Sequence, residues 1–268
     1  MRTTNASADD THDPRDSGGH RGDRARDRTV PGAQRPRASG VGPVTVAPGR
    51  TMLRLNSLAT NVTTLGPPPA TVLWTQGCRI ACSGCMSPGT FSHRGGVLAD
   101  VDDIATWLSS TNSYSLVLSG GEPSEQAPAV NALLDLLPDE WIVTLYSGRD
   151  LDDLLDDADP DVPRLARRVD LAITGPYRHD LHASLLWRAS SNQALINVSG
   201  RVQLPEVDES AGVVIRLRES ALDVAIGVPP APGFEQHLRT AAARHGVALL
   251  PVSEPPTFPF PVIYPKEV

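Results

Sequence analysis

The chain has 268 residues, 40% hydrophobic and 21% charged, with a net charge of −7 and three cysteines. This describes one large or two small globular domains. It argues against a membrane span, because no apolar run approaches about 18 residues. It also argues against a disulfide framework, because the cysteines are odd in number and clustered at positions 78, 82 and 85.

Residues 1–50 hold nine Arg and six Asp but no Leu, Ile, Phe, Trp, Tyr or Cys. Such a segment cannot bury enough apolar surface to offset its ordering entropy, so a disordered arm is predicted. It carries +3, which leaves −10 on residues 51–268 and argues against a nucleic-acid partner. The polar, Asp-containing start lacks a secretory apolar region and predicts a cytoplasmic protein.

The body alternates strand and helix signals. Residues 52–58 and 71–75 read as strands separated by the turn Gly66-Pro67-Pro68-Pro69. Residues 101–109 read as a helix capped by Asp100. A short apolar run at 115–118 ends in glycines, and 127–137 has helical spacing. The pattern repeats as strand 141–145, helix 151–158, strand 169–174 and strand 194–198. Alternation of this kind predicts βα units around a parallel sheet, with ligands at the carboxyl ends of the strands. Beyond it, 213–218 and 222–228 read as a hairpin, 233–245 as a helix ending at Gly246, and the Pro-rich tail as an extended segment packed on the body. Asp150, Asp152, Asp153, Asp156, Asp157, Asp159 and Asp161 read as the solvated face of the 151–158 helix.

Chemistry concentrates in Gln76-Gly77-Cys78-Arg79-Ile80-Ala81-Cys82-Ser83-Gly84-Cys85. Three thiolates spaced CxxxCxxC can wrap one metal or cluster. A tetrahedral zinc needs a fourth ligand, for which His93 is the nearby candidate. A 4Fe-4S cube held by three cysteines leaves one iron open to another ligand. Ser119-Gly120-Gly121-Glu122-Pro123 follows the next predicted strand, and its glycines permit close backbone approach.

CxxxCxxC followed one βα unit later by Gly-Gly-Glu-Pro resembles the radical S-adenosylmethionine (SAM) superfamily. The segment Trp187-Arg188-Ala189-Ser190-Ser191-Asn192-Gln193 narrows the resemblance to the activating enzymes of anaerobic ribonucleoside-triphosphate reductase. Ser83, Ser87 and Ala189 depart from that family's usual pattern. The resemblance implies a 4Fe-4S cluster on Cys78, Cys82 and Cys85. It implies SAM held around Gly120, Gly121, Glu122, Pro123, Tyr146, Ser147, Asn192 and Gln193. One electron from the cluster then cleaves the sulfonium, and the resulting radical abstracts hydrogen from a substrate.

The implied fold is α/β, a partial (β/α)6-type radical SAM barrel over residues 51–205, with a C-terminal hairpin and helix extension over 206–268. The implied function is a glycyl-radical activase acting on a partner protein. A tailoring enzyme for a peptide or small molecule is the alternative, and a zinc-binding interaction protein a distant one. A protein substrate suits an open side wall, whereas a small one needs a cover that the extension can supply. A flavodoxin or ferredoxin is the implied electron donor, with Arg79 and Arg94 as candidate docking residues beside the cysteines.

Overall fold

The computed structural model describes residues 49–218, 221–247 and 257–265. The predicted disordered arm, apart from Gly49 and Arg50, lies outside the described residues. So do the predicted hairpin turn residues Glu219 and Ser220, and Pro255 and Pro256 of the tail.

The core is an eight-stranded mixed sheet flanked by helices. Four strands at its centre are parallel neighbours: β2 (Ala70–Thr75), β4 (Ser115–Gly120), β5 (Ile142–Ser147) and β6 (Leu171–Thr174). Antiparallel strands extend both sides. On one are β1 (Met52–Val62), β3 (Val97–Asp100) and β12 (Val262–Ile263), and on the other is β9 (Ala194–Asn197). The connection from β1 to β2 spans only residues 63–69. A parallel crossover needs a dozen residues or more, so these two strands meet as a hairpin. The parallel βα expectation therefore holds for the four central strands.

The helices cover one face of the sheet. In α1 (Val101–Ser110), the Asp100 carboxylate accepts the Asp102 N–H at 2.9 Å, and Val101, Ile104, Ala105 and Leu108 form the buried stripe. α2 (Ala127–Asp135) follows β4, while α3 (Leu151–Leu155) and α4 (Asp161–Arg168) follow β5. Their apolar sides share a cluster with Leu73, Leu116, Leu118 and Leu145 of the sheet. Each fully buried leucine contributes about 1.5–3 kcal/mol. Alternate strand residues point the other way: Val72 and Val117 join Val62 and Leu65, and Leu171 and Ile173 join Leu186 and Trp187. This second face, free of α1 to α4, carries the cavity described below.

The acidic run differs from its expected form. The helix at 151 ends at Leu155, three residues before the sequence pattern suggests. Asp159-Pro160 opposes helical backbone at residue 159, and Asp157 and Asp159 accept the N–H groups of Asp159 and Asp161 in successive turns. Asp152, Asp153 and Asp156 are exposed as the solvated face expected of this helix, while the later part of the run is turn chemistry leading into α4, a helix that the pattern did not reveal.

Two short strands, β7 (His182–Leu185) and β8 (Arg188–Ser190), form a separate ribbon between β6 and β9 in the chain. The expected hairpin is present as β10 (Val213–Arg218) and β11 (Ala221–Gly227), followed by helix α5 (Phe234–Arg244). The tail packs on the body through β12, and the Phe260 ring lies edge-on to Trp107 at 5.4 Å.

Candidate functional site

The cysteine loop leaves the carboxyl end of β2. Gly77 N–H donates to Thr90 O at 2.7 Å and Cys78 N–H to Phe91 O at 3.1 Å, so the loop's first arm is pinned to its return. Left-handed backbone at Ala81 (φ 47°) and Gly84 (φ 74°) turns the chain back on itself. Cys85 N–H donates to Cys82 O at 3.1 Å, and Ser87 N–H approaches Cys85 Sγ at 3.3 Å.

All three cysteines are half-buried. Burial lifts the Cys78 thiol above its usual range against the opposing N–H groups of Ala81 and Ile80, and Glu122 and Glu125 add to the rise. Burial also lifts Cys85, with Cys82 and Cys78 adding to it, against the N–H of Ser87. Loading a metal therefore displaces protons.

Three soft sulfur donors on one short loop suit an iron–sulfur cluster. The zinc alternative fares worse. His93, its candidate fourth ligand, places Nε2 2.6 Å from Glu125 Oε2.

The Gly120-Gly121-Glu122-Pro123 turn lies directly against this loop. Gly121 N–H donates to Thr75 O and Glu122 N–H to Gly77 O, both at 2.8 Å. A Cβ on Gly121 would sit 2.1 Å from Gly77 O, and one on Gly120 (φ 101°) 2.5 Å from Thr75 N. The close approach that demands these glycines is therefore made by the chain leading into the cysteines. The buried Glu122 carboxylate accepts from Ser124 N–H, Ser147 Oγ and Gly148 N–H at 2.9–3.1 Å. Burial raises its pKa, opposed by those donors. Pro123 is buried at the start of a short 3₁₀ turn.

Of the other expected site residues, Tyr146, Ser147 and Gln193 line the cavity beside the cysteines, whereas the exposed Asn192 does not, and each also serves the scaffold. Tyr146 lines the cavity while its hydroxyl reaches Trp187 O at 2.9 Å and Leu65 O at 3.2 Å. Ser147 links Glu122 to Arg149 N–H. Asn192 donates to Pro176 O at 2.8 Å. Gln193 donates to Gly175 O and accepts from the N–H groups of Ala189 and Ser190.

Three residues without an assigned role hold the loop in place. Glu125 accepts Arg79 N–H at 2.7 Å through Oε1 while Oε2 faces His93. The Gln126 amide bonds both backbone groups of Arg54 and also donates to Gln76 O. Gln76, 2% exposed, donates to Gly89 O and Ser92 O and accepts from Asn56. Their side chains act across 13 to 72 positions of chain, which no local spacing reveals.

A cavity of about 120 Å³ is lined by all three cysteines together with Gly120, Gly121 and Glu122. A second, of about 590 Å³ and half-open to solvent, shares Cys85, Ser119, Gly120, Tyr146, Tyr177 and Gln193 with it. That size suits a drug-sized ligand. Residues 226–235 form much of its far wall.

Comparison with known proteins agrees with this chemistry. Residues 65–196 match the family model of a 4Fe-4S single cluster domain. The anaerobic ribonucleoside-triphosphate reductase-activating protein of Enterobacteria phage T4 is 30% identical over 141 residues, covering 48% of this chain and 85% of that protein. The crystal structure of QueE from Escherichia coli aligns at 17% identity and a TM-score of 0.30, over 36% of this chain. The aligned region is about half of QueE (52%), and the superposition is too loose to bear on the fold.

Proposed function

We propose, from the premise that this chain belongs to the radical SAM superfamily and its anaerobic ribonucleoside-triphosphate reductase-activating family, that it abstracts hydrogen from a backbone glycine of a partner glycyl-radical protein. Its cofactors are a 4Fe-4S cluster and SAM. Bound together, they supply reductive cleavage of a sulfonium and hydrogen abstraction from a substrate C–H bond.

In this reading Cys78, Cys82 and Cys85 would hold the cluster. Gly120, Gly121, Glu122 and Pro123 would present backbone and carboxylate acceptors to the SAM amino group, which is a cation with three donors. Tyr146, Ser147, Asn192 and Gln193 would shape the rest of the SAM side. The scaffold keeps the two motifs in register, because the Gly-Gly-Glu turn and the cysteine loop share backbone hydrogen bonds. The four parallel strands with their helices support reading the fold as a partial barrel of the (β/α)6 type. We read 51–205 as the catalytic core, 206–268 as an added extension and the setting as cytoplasmic, with flavodoxin or ferredoxin as electron donor.

The observation that carries the activase reading is the placement of the 187–193 segment. Trp187, Ala189 and Gln193 line the same cavity as Cys85 and Gly120. The wall at 226–235 favours a second reading, an enzyme that modifies a peptide or small molecule beneath a cover.

The test is anaerobic reconstitution with iron and sulfide, reduction by dithionite with SAM, and assay of 5′-deoxyadenosine. Product is expected, falling by at least a thousandfold in Cys78→Ala. A glycyl-radical electron paramagnetic resonance signal on an added reductase would establish the activase role. Absence of SAM cleavage by a protein with full iron content would overturn the radical reading.

A further inference from the structure

The ribbon of β7 and β8 turns at Leu186 and Trp187, and the turn is held in an unfavourable shape. Trp187 has left-handed backbone (φ 55°), which a bulky side chain adopts only where its surroundings impose it. Part of that constraint comes from the core. Trp187 is buried with Leu171 and Ile173, and its carbonyl accepts the Tyr146 hydroxyl at 2.9 Å. The rest comes from beyond the matched family region, which ends at residue 196. Asp208 Oδ1 accepts Leu186 N–H at 3.1 Å, and Oδ2 pairs with Arg188 Nη2. Ser184 Oγ donates to Ser210 Oγ at 2.7 Å, and Val202, Leu204 and Ala211 pack against the cluster that holds Leu186 and Trp187.

Asp208 is the charged member of this brace, and it bonds the residues on either side of Trp187. The Arg188 guanidinium holds its carboxyl below the usual carboxylate range against desolvation, with the Leu186 N–H adding to the drop. An exposed ion pair by itself is worth little. Here the Arg188 side chain is only 14% exposed, and the same carboxylate also takes a backbone donor of the strained turn. From Arg188 the contacts lead into the site. Its Nη1 donates to Gln193 O at 3.2 Å. Gln193 in turn accepts the N–H groups of Ala189 and Ser190 through Oε1 and donates to Gly175 O. It lines both cavities, beside Cys85 and Gly120, whereas Asp208 lines neither.

We propose that Asp208 is a positioning residue for the site: it braces the strained turn at Leu186 and Trp187 and, through Arg188, sets Gln193 in the wall that the two cavities share. What that wall holds rests on the radical SAM reading, so the brace is tested by two readouts, one of which needs no SAM. Full-length protein reconstituted with iron and sulfide would be compared as wild type, Asp208→Ala and Asp208→Glu. Amide exchange at residues 186–193 should be at least tenfold faster in Asp208→Ala, with β4 and β5 protected as in wild type. Equilibrium dialysis against SAM without reductant should show affinity about tenfold weaker in Asp208→Ala at unchanged iron content. Asp208→Glu keeps the charge and should recover most of both. Unchanged exchange at 186–193 in Asp208→Ala would overturn the brace. Wild-type SAM affinity in that variant, or equal losses in the Ala and Glu variants, would overturn the positioning role. Failure of the wild type itself to retain SAM would count against the radical SAM reading, and the exchange result would then judge the brace alone.

Discussion

The cysteine side and the far wall of the cavity are built in different ways. On the cysteine side, backbone meets backbone: Thr75 and Gly77 accept from Gly121 and Glu122, and glycines are required because the two chains pass within van der Waals contact. On the far side, side-chain groups of Thr64, His182 and Ser184 reach out to carbonyls of a Pro-rich segment. The first construction tolerates almost no change of residue type, since any Cβ collides with rigid backbone. The second can be altered one donor at a time and can therefore diverge in specificity while the chemistry beside the cysteines stays the same.

Substitutions test that contrast, starting with the largest expected effect. Gly121→Ala places a methyl 2.1 Å from Gly77 O, with no flexible side chain to yield. It should cost about 1–3 kcal/mol or more and strip most of the iron, read by thermal unfolding and iron analysis. Native iron content in this variant would show that the two motifs are not rigidly coupled. Glu125→Ala releases both Arg79 N–H and His93. Chelator removal of iron should become several-fold faster.

On the far side, Thr64→Val keeps the shape but leaves Ile226 O without its buried donor. The expected cost is about 1–3 kcal/mol, with faster amide exchange confined to the segment around 226–235 and iron content unchanged. Loss of iron would show that the two sides are one cooperative unit. The smallest effect is expected at the exposed pair Arg79 and Arg94. Their reversal to Glu should slow reduction by flavodoxin a few-fold at low salt, and less at high salt, while dithionite reduction is unchanged. Equal rates with flavodoxin would remove these residues from donor docking.

Much of the cysteine side was legible because its chemistry is contiguous in the chain. Cys78, Cys82 and Cys85 occupy eight positions, and Gly120 to Pro123 sit at the end of a recognisable strand. The reason for the glycines was harder to read, since the close neighbour is Thr75 to Gly77 rather than a ligand. Glu122 could be read as a SAM partner or a cap; its carboxylate takes three internal donors that brace the turn and also lines the cavity beside the cysteines. Gln126, Glu125 and Thr64 carried no signal at all, because Gln and Glu in a short helical turn and Thr in a loop are unremarkable until their partners, up to 162 positions away, are known. Among the elements, β1's hairpin with β2 and the ribbon of β7 and β8 escaped for a similar reason: pairing partners are not written in local periodicity.

From the sequence alone came the alternation of strands and helices and the clustered thiols, carried by residue type and short spacing, and the cofactor chemistry that the family resemblance implied. Only the tertiary structure decided which strands run antiparallel, which side chains brace the cysteine loop, and that residues 226–235 line the larger cavity. Those outcomes depend on burial and hydrogen bonding between segments far apart in the chain, and such contacts exist only once the sheet has brought its edges and connections together.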